Sequence, residues 1–132
     1  MRIDLAFDAL LPHPVEAVWA AITSADGISG WLMTTTDFRA EVGALFRMRT
    51  QHLAASGWVE AQVLELDPPR RMVWSWSARD AYPPTTVTFA LAPEAGGTRL
   101  TLTHVGEIDP DIGAVVRNGW PGRLALIEEV AR

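Results

Sequence analysis

Residues 63–77, VLELDPPRRMVWSWS, contain two apolar-rich stretches separated by a turn signal, and they predict a β-hairpin. The turn is Asp67-Pro68-Pro69, which cannot continue a regular strand. In the second strand Trp74 and Trp76 are two positions apart, so both indoles should project from the same face of the sheet. Since each indole covers roughly 150–250 Å², that face needs a cover or a ligand. We expect the two indoles to face a core that opens into a pocket.

Similar strand signals on both sides extend this hairpin into an antiparallel meander. The short connections between successive strands favour antiparallel neighbours over parallel ones. Alternation along each strand also predicts which side chains share the covered face. The candidate strands are 36–40, 44–51, 57–66, 71–78, 85–92 and 98–105. The residues expected to share the covered face are Phe46, Met48, Thr50, Met72, Trp74, Trp76, Val87, Phe89, Leu91, Leu100, Leu102 and His104.

The N-terminal segment predicts a further strand and a short helix. Residues 3–11 alternate between apolar and mostly polar positions, which is typical of a strand with one buried face. From Val15 the apolar period changes to helical spacing, with Pro14 suited to the first helical turn. The helix should break at residues 24–27, and residues 28–32 allow only another short helical turn.

The C-terminal segment predicts an amphipathic helix that covers the sheet. Its apolar residues recur at helical spacing, but Pro121 falls inside the stripe. We therefore expect the helix to begin at Trp120 or to be kinked there, with residues 111–118 forming a separate turn. The stripe consists of Val116, Trp120, Leu124, Ile127 and Ala131.

Length and composition limit the classes of function. A chain of 132 residues with 48% hydrophobic residues predicts one folded domain over residues 1–132. The net charge of −5 argues against nucleic acid or an anionic membrane as the main partner. The absence of cysteine removes disulfides and thiolate chemistry, and acidic residues interrupt the apolar N-terminal stretch, so we expect a cytoplasmic protein. Monomer and homodimer both stay open.

Four motifs, taken in order, resemble the START/polyketide-cyclase-like superfamily. The first, residues 13–23, resembles the opening P-x-x-x-V-W-x-A-[LI]-T of that superfamily. The others are residues 63–73 with Ser75-Trp76, residues 87–89 with residues 97–104, and Gly119-Trp120 with Leu124. Together they look like the branch of heat-shock ATPase activator homologues, and the resemblance covers essentially the whole chain.

The resemblance implies the helix-grip fold, an α+β architecture of order β-α-α-β-β-β-β-β-β-α. In this fold a curved antiparallel sheet wraps around the C-terminal helix, and the cavity between them serves carriers and cyclases alike. Fold alone does not choose among these activities. We favour binding of a small hydrophobic or aromatic ligand, and keep two alternatives: a cofactor-free cyclase, lyase or hydrolase, and a co-chaperone-like protein-interaction module.

The expected ligand pocket combines inward aromatic and apolar side chains with a few polar ones. His104 and Glu60 are the candidate acid–base residues if the protein is an enzyme, which we do not favour because no catalytic motif is present. Arg117 could close the pocket over a carboxylate or phenolate. The scattered histidines predict no metal site, and we expect no cofactor. The predicted pocket residues are Phe46, Met48, Trp74, Trp76, Phe89, His104, Arg117, Trp120 and Leu124.

Overall fold

The computed structural model describes residues 1–50, 57–78 and 83–132, which form one antiparallel sheet and three helices. Within these ranges seven strands pair in the order β1-β7-β6-β5-β4-β3-β2, and the C-terminal helix packs on the inner face. The predicted α+β helix-grip fold is confirmed. The elements are β1 (Arg2–Leu11), α1 (Val15–Ile22), α2 (Ala25–Trp31), β2 (Thr35–Thr36), β3 (Leu45–Arg49), β4 (Trp58–Asp67), β5 (Arg71–Ser77), β6 (Thr85–Glu94), β7 (Gly97–Glu107) and α3 (Pro110–Val130).

The inner face of the sheet carries the side chains that alternation predicts. In β5, Trp74 and Trp76 are both buried and both point inward, as proposed from their spacing. The predicted stripe of α3, from Val116 to Ala131, is buried against this face. The resulting core is continuous from sheet to helix, because the regular parts of the strands contribute side chains at a period of two and α3 at a period near 3.6.

Helix α3 is longer than the sequence pattern predicts. It begins at Pro110, after the side chain of Asp109 accepts a hydrogen bond from the Asp111 amide at 2.9 Å. Pro121 lies inside the helix and does not end it, so the separate turn expected over residues 111–118 is wrong. Proline has no backbone N–H, so the carbonyl of Arg117 has no donor at Pro121. Both residues are exposed, and water can donate to that carbonyl instead.

A β-bulge in β4 changes which side chains face outward. Val63 pairs with Trp74, whereas Glu65 pairs with Val73, so Leu64 is an extra residue on this strand. The predicted strand 57–66 is therefore present, but residues 60–66 do not keep one alternation throughout. The bulge lets Val63 and Leu66 both contact the core although they are three positions apart.

The segment that joins α1 to the sheet is compact. Ser24 caps α2 by accepting a hydrogen bond from the Gly27 amide at 3.0 Å. Helix α2 then approaches α3 so closely that a Cβ at Gly30 would lie 2.9 Å from Val130 Cγ2. The strand predicted at 36–40 is reduced to the two residues of β2, and residue 51 of the next predicted strand lies outside the described residues. No helix in the described ranges has an apolar run long enough to cross a bilayer.

Candidate ligand-binding cleft

A cleft lies between α3, the segment after α2 and the end of β3; we refer to it as the α3 cleft. Its volume is 470 Å³. Trp76 and Trp120, each 3% exposed, form its inner wall, while polar and charged side chains lie toward solvent. Its lining residues are Ser29, Leu32, Met33, Thr34, Arg49, Thr50, Trp76, Val115, Val116, Gly119, Trp120 and Arg123.

Most of the aromatic residues predicted for the pocket fill the core instead of lining the α3 cleft. Trp74 packs against Phe89 with ring centroids 4.7 Å apart and against Phe46 at 5.0 Å, in edge-to-face geometry. Met48 and Leu124 are likewise buried and lie outside the cleft lining. Of the nine predicted residues, the structure brings Trp76 and Trp120 to the cleft, with ring centroids 5.6 Å apart.

His104 lies directly behind this inner wall and connects its residues by hydrogen bonds. Trp120 Nε1 donates to His104 Nδ1 at 3.1 Å, and His104 Nε2 lies 2.7 Å from Thr85 Oγ1. Because an indole nitrogen can only donate, Nδ1 accepts and the imidazole proton resides on Nε2. His104 therefore donates to Thr85, whose hydroxyl donates in turn to the carbonyl of Trp76 at 3.2 Å. We call this series the His104 chain.

Burial keeps His104 neutral. Its side chain is 0% exposed, and desolvation lowers the pKa of His104 to about 4. With Nδ1 occupied by Trp120 and Nε2 donating to Thr85, neither ring nitrogen is free to take a proton from a molecule in the cleft. The position of His104 favours a structural role for the imidazole over general base catalysis.

Two of the predicted polar site residues lie away from the cleft, and both assignments are corrected. Glu60 is exposed on the outer face of β4, with its Oε1 3.9 Å from Nε of Arg47, because Val59 and Ala61 take the inward positions. Arg117 is exposed on α3 and does not line the cleft, since it projects from a different side of the helix than Val116 and Trp120.

Two other arginines line the α3 cleft, and sequence reasoning missed both. Arg49 follows Met48 at the end of β3, and alternation correctly predicts it to be exposed. It still reaches the cleft because β3 ends there. Gly119 and Arg123 each follow a residue of the buried stripe by three positions, so helical periodicity places them on its flank. This three-residue spacing from the buried stripe was the sequence signal that could have identified Arg123 as a cleft residue.

A wider depression of 970 Å³ lies at the opposite end of the sheet, lined by turn residues that include Pro12, Pro68 and Gly96. No tryptophan, phenylalanine or tyrosine in the described part of the chain lines it. It lies outside the space between sheet and α3, so the α3 cleft is the better candidate for an apolar ligand. The described residues hold no group of three or more side chains arranged to bind a metal ion.

Solved structures share this architecture over nearly the whole chain. MLL2253 of Mesorhizobium loti is 26% identical, with a TM-score of 0.80 over 97% of this chain and 96% of that chain. BH1534 of Bacillus halodurans is 25% identical, with a TM-score of 0.79 over 99% of each chain. CalU16 of Micromonospora echinospora, at 24% identity, shares the fold with a TM-score of 0.77 over 98% of this chain and 76% of that chain.

The amino-acid sequence was also compared with curated proteins and with models of protein families. None of the functionally curated proteins matches this chain. The sequence model of the family described as "Activator of Hsp90 ATPase homolog 1-like protein" matches residues 12–132, which include both tryptophans of the cleft wall and the whole of α3. The chain therefore belongs to the Activator of Hsp90 ATPase homolog 1-like family.

Proposed function

We propose that this protein binds a small hydrophobic or aromatic molecule in the α3 cleft. The observation that carries the proposal is a 470 Å³ space whose inner wall consists of Trp76 and Trp120. Small-molecule sites have volumes of roughly 300–1,000 Å³ and are mostly apolar, with a few polar groups that orient the ligand. The volume of the cleft lies within that range, and its lining combines an apolar inner wall with polar and charged side chains toward solvent.

The His104 chain supports this proposal because it fixes the wall before a ligand arrives. The indole of Trp120 is held through its Nε1 by His104, and the ring of Trp76 packs on the imidazole with centroids 5.3 Å apart. A wall that is already ordered loses little side-chain entropy on binding, which favours affinity.

Use of the same cleft by a cofactor-free cyclase, lyase or hydrolase has less support. Such a reaction needs an acid or base within reach of the substrate. His104 lies behind the wall with both ring nitrogens engaged, and Glu60 lies on the outer face. The co-chaperone-like alternative, a protein-interaction module, does not require a ligand-binding cleft. We therefore propose binding without turnover.

A matched pair of helix variants tests the proposal. A Cβ added at Gly119 or at Gly122 would meet no atom within 4 Å, but only Gly119 lines the cleft. We expect Gly119→Leu to fill the cleft and Gly122→Leu to leave it open, while both variants gain helix propensity over glycine. Binding of the uncharged dye phenylnaphthylamine would be measured by its fluorescence and by energy transfer from tryptophan.

The expected result is saturable binding at one site in the wild type and in Gly122→Leu, with at least tenfold weaker binding in Gly119→Leu, about 1.4 kcal/mol. Equal binding by both variants would place the dye elsewhere on the protein. No binding to the folded wild type would remove the proposal.

A further inference from the structure

Resting on the proposed function, we propose that the natural ligand of the α3 cleft is an anion: a small molecule with an apolar, aromatic body and one negatively charged group. The body would pack on Trp76 and Trp120, and the charged group would bind Arg49 and Arg123 at the mouth. These two arginines approach the cleft from opposite sides, one from β3 and one from α3.

The charge of the cleft lining is opposite to that of the whole chain. Among the residues that the structure describes, Arg49 and Arg123 are the charged ones in the lining, and no aspartate or glutamate lines it. The complete sequence carries a net charge of −5, so the protein as a whole repels anions. A positive cleft in an acidic protein therefore favours anions through local contacts and not through the overall field.

Neither guanidinium is neutralised by a carboxylate among the described residues. Arg47 and Arg71, by contrast, have Glu60 and Glu65 within 4 Å on the outer face of the sheet. The guanidinium carbon of Arg49 lies 5.2 Å from the ring centroid of Trp58, a contact that leaves its N–H donors in the plane of the group available. Arginine presents paired N–H donors that match the oxygens of a carboxylate or a similar anionic group.

The depth of each group fits an amphipathic anion bound with its charged end outward. The wall tryptophans are almost fully buried, whereas both arginines are exposed. An anionic group held at the mouth would keep part of its hydration, which avoids most of the cost of burying a charge. The hydroxyl groups of Ser29, Thr34 and Thr50 add polar lining around the cleft.

The test compares two dyes of nearly the same shape that differ in charge: anilinonaphthalene sulfonate, an anion, and phenylnaphthylamine, which lacks the sulfonate. Both would be titrated into the wild type and into Arg49→Gln, Arg123→Gln and the double variant. Arg47→Gln is the control for Arg49, because it lies on the same strand face and its guanidinium also contacts Trp58, at 4.4 Å. Arg117→Gln is the control on α3.

The proposal predicts that the wild type binds the anionic dye more tightly than the neutral one. Each cleft variant should lose on the order of fivefold in affinity for the anion and little for the neutral dye. Added salt should weaken the binding of the anionic dye and leave that of the neutral dye unchanged. Both control variants should bind the two dyes as the wild type does.

Equal affinity of the wild type for the two dyes would contradict the proposal that the ligand is an anion. Equal losses of affinity in the cleft and control variants would contradict it too, and neither result would contradict ligand binding in the α3 cleft. Failure of both dyes to bind the wild type would instead overturn the proposed function itself. The neutral dye thus separates the two failures, and its retained binding also shows that the arginine variants are folded.

Discussion

At the scale of single residues, the His104 chain explains how a polar side chain is accommodated in an apolar core. Both ring nitrogens are hydrogen-bonded, one to Trp120 and one to Thr85, and no charged side chain contacts the ring in the described structure. A buried imidazole satisfied in this way is stable only while it is neutral, because a proton on Nδ1 would face the N–H of Trp120. His104 therefore links the stability of the cleft wall to pH.

The first residue-scale prediction concerns acid stability. Burial holds the folded pKa of His104 at about 4, below its ordinary value of 6.5, so in that interval the unfolded chain binds a proton that the folded chain does not. The free energy of unfolding should therefore fall as the pH drops through this window, by about 2 kcal/mol between pH 6.5 and pH 4.5. Urea unfolding followed by tryptophan fluorescence at several pH values measures it.

Two variants separate His104 from the carboxylates. His104→Gln keeps an acceptor and a donor but does not titrate, so we expect it to lose most of the slope in this window. Glu94→Gln is the control: the hydrogen bond from Arg99 holds the pKa of Glu94 below 4.5, so its contribution is lost only at lower pH. An unchanged slope in His104→Gln would contradict the assignment.

At the scale of elements, α3 decides the shape of the cleft, and its boundaries follow from competing local signals. Asp109, Pro110 and Asp111 together form a favourable helix start: a capping carboxylate, a proline at the first helical position and an acidic first turn. Pro121 opposes continuation, but it lies on the exposed side. Burial of the apolar stripe outweighs one lost hydrogen bond, so the helix continues through it.

This balance predicts that Pro121 limits the stability of α3. Pro121→Ala restores an N–H that can donate to the Arg117 carbonyl and removes a steric conflict, so we expect a gain of about 1–3 kcal/mol in the free energy of unfolding. Gly122→Ala, one position along the same exposed surface, should gain about 0.5–1 kcal/mol from propensity alone. Chemical denaturation of both variants checks the difference. A Pro121→Ala gain no larger than that of Gly122→Ala would mean that proline does not strain the helix.

At the scale of the whole molecule, the α3 cleft couples binding to folding because its walls come from elements far apart in sequence. The segment after α2, the end of β3, Trp76 of β5 and the middle of α3 meet only in the folded chain. A ligand that requires all four binds the folded state alone. It should therefore stabilise the protein according to its concentration relative to Kd.

Thermal unfolding with the neutral dye tests this coupling. At a hundred times its Kd, phenylnaphthylamine should add about 2.7 kcal/mol and raise the Tm by roughly 10 °C. Gly122→Leu should show the same rise, and Gly119→Leu, whose binding is at least tenfold weaker, should show at most about half of it at the same concentration. A rise of the same size in Gly119→Leu would place the stabilising site outside the cleft.

Local periodicity alone predicted most strands of this protein, the buried stripe of its C-terminal helix and the inward face of its sheet. The structure confirms the inward face predicted from Trp74 and Trp76 and the buried stripe from Val116 to Ala131. Both predictions are correct because burial of one face of an element requires a fixed period. The order of the motifs along the chain then predicted the helix-grip fold. Three features depended on contacts between distant segments: the bulge at Leu64, the helix through Pro121, and which inward side chains meet the cleft.

Tertiary structure alone decided the site. Trp74 and Trp76 share the same strand alternation, yet one is enclosed by phenylalanines and the other lines an open space. The difference arises from where α3 crosses the sheet, which no local pattern encodes. For the same reason Arg49 and Arg123 line the cleft and Arg117 does not: a cleft is defined by the distance between two surfaces, and only packing of the whole chain sets that distance.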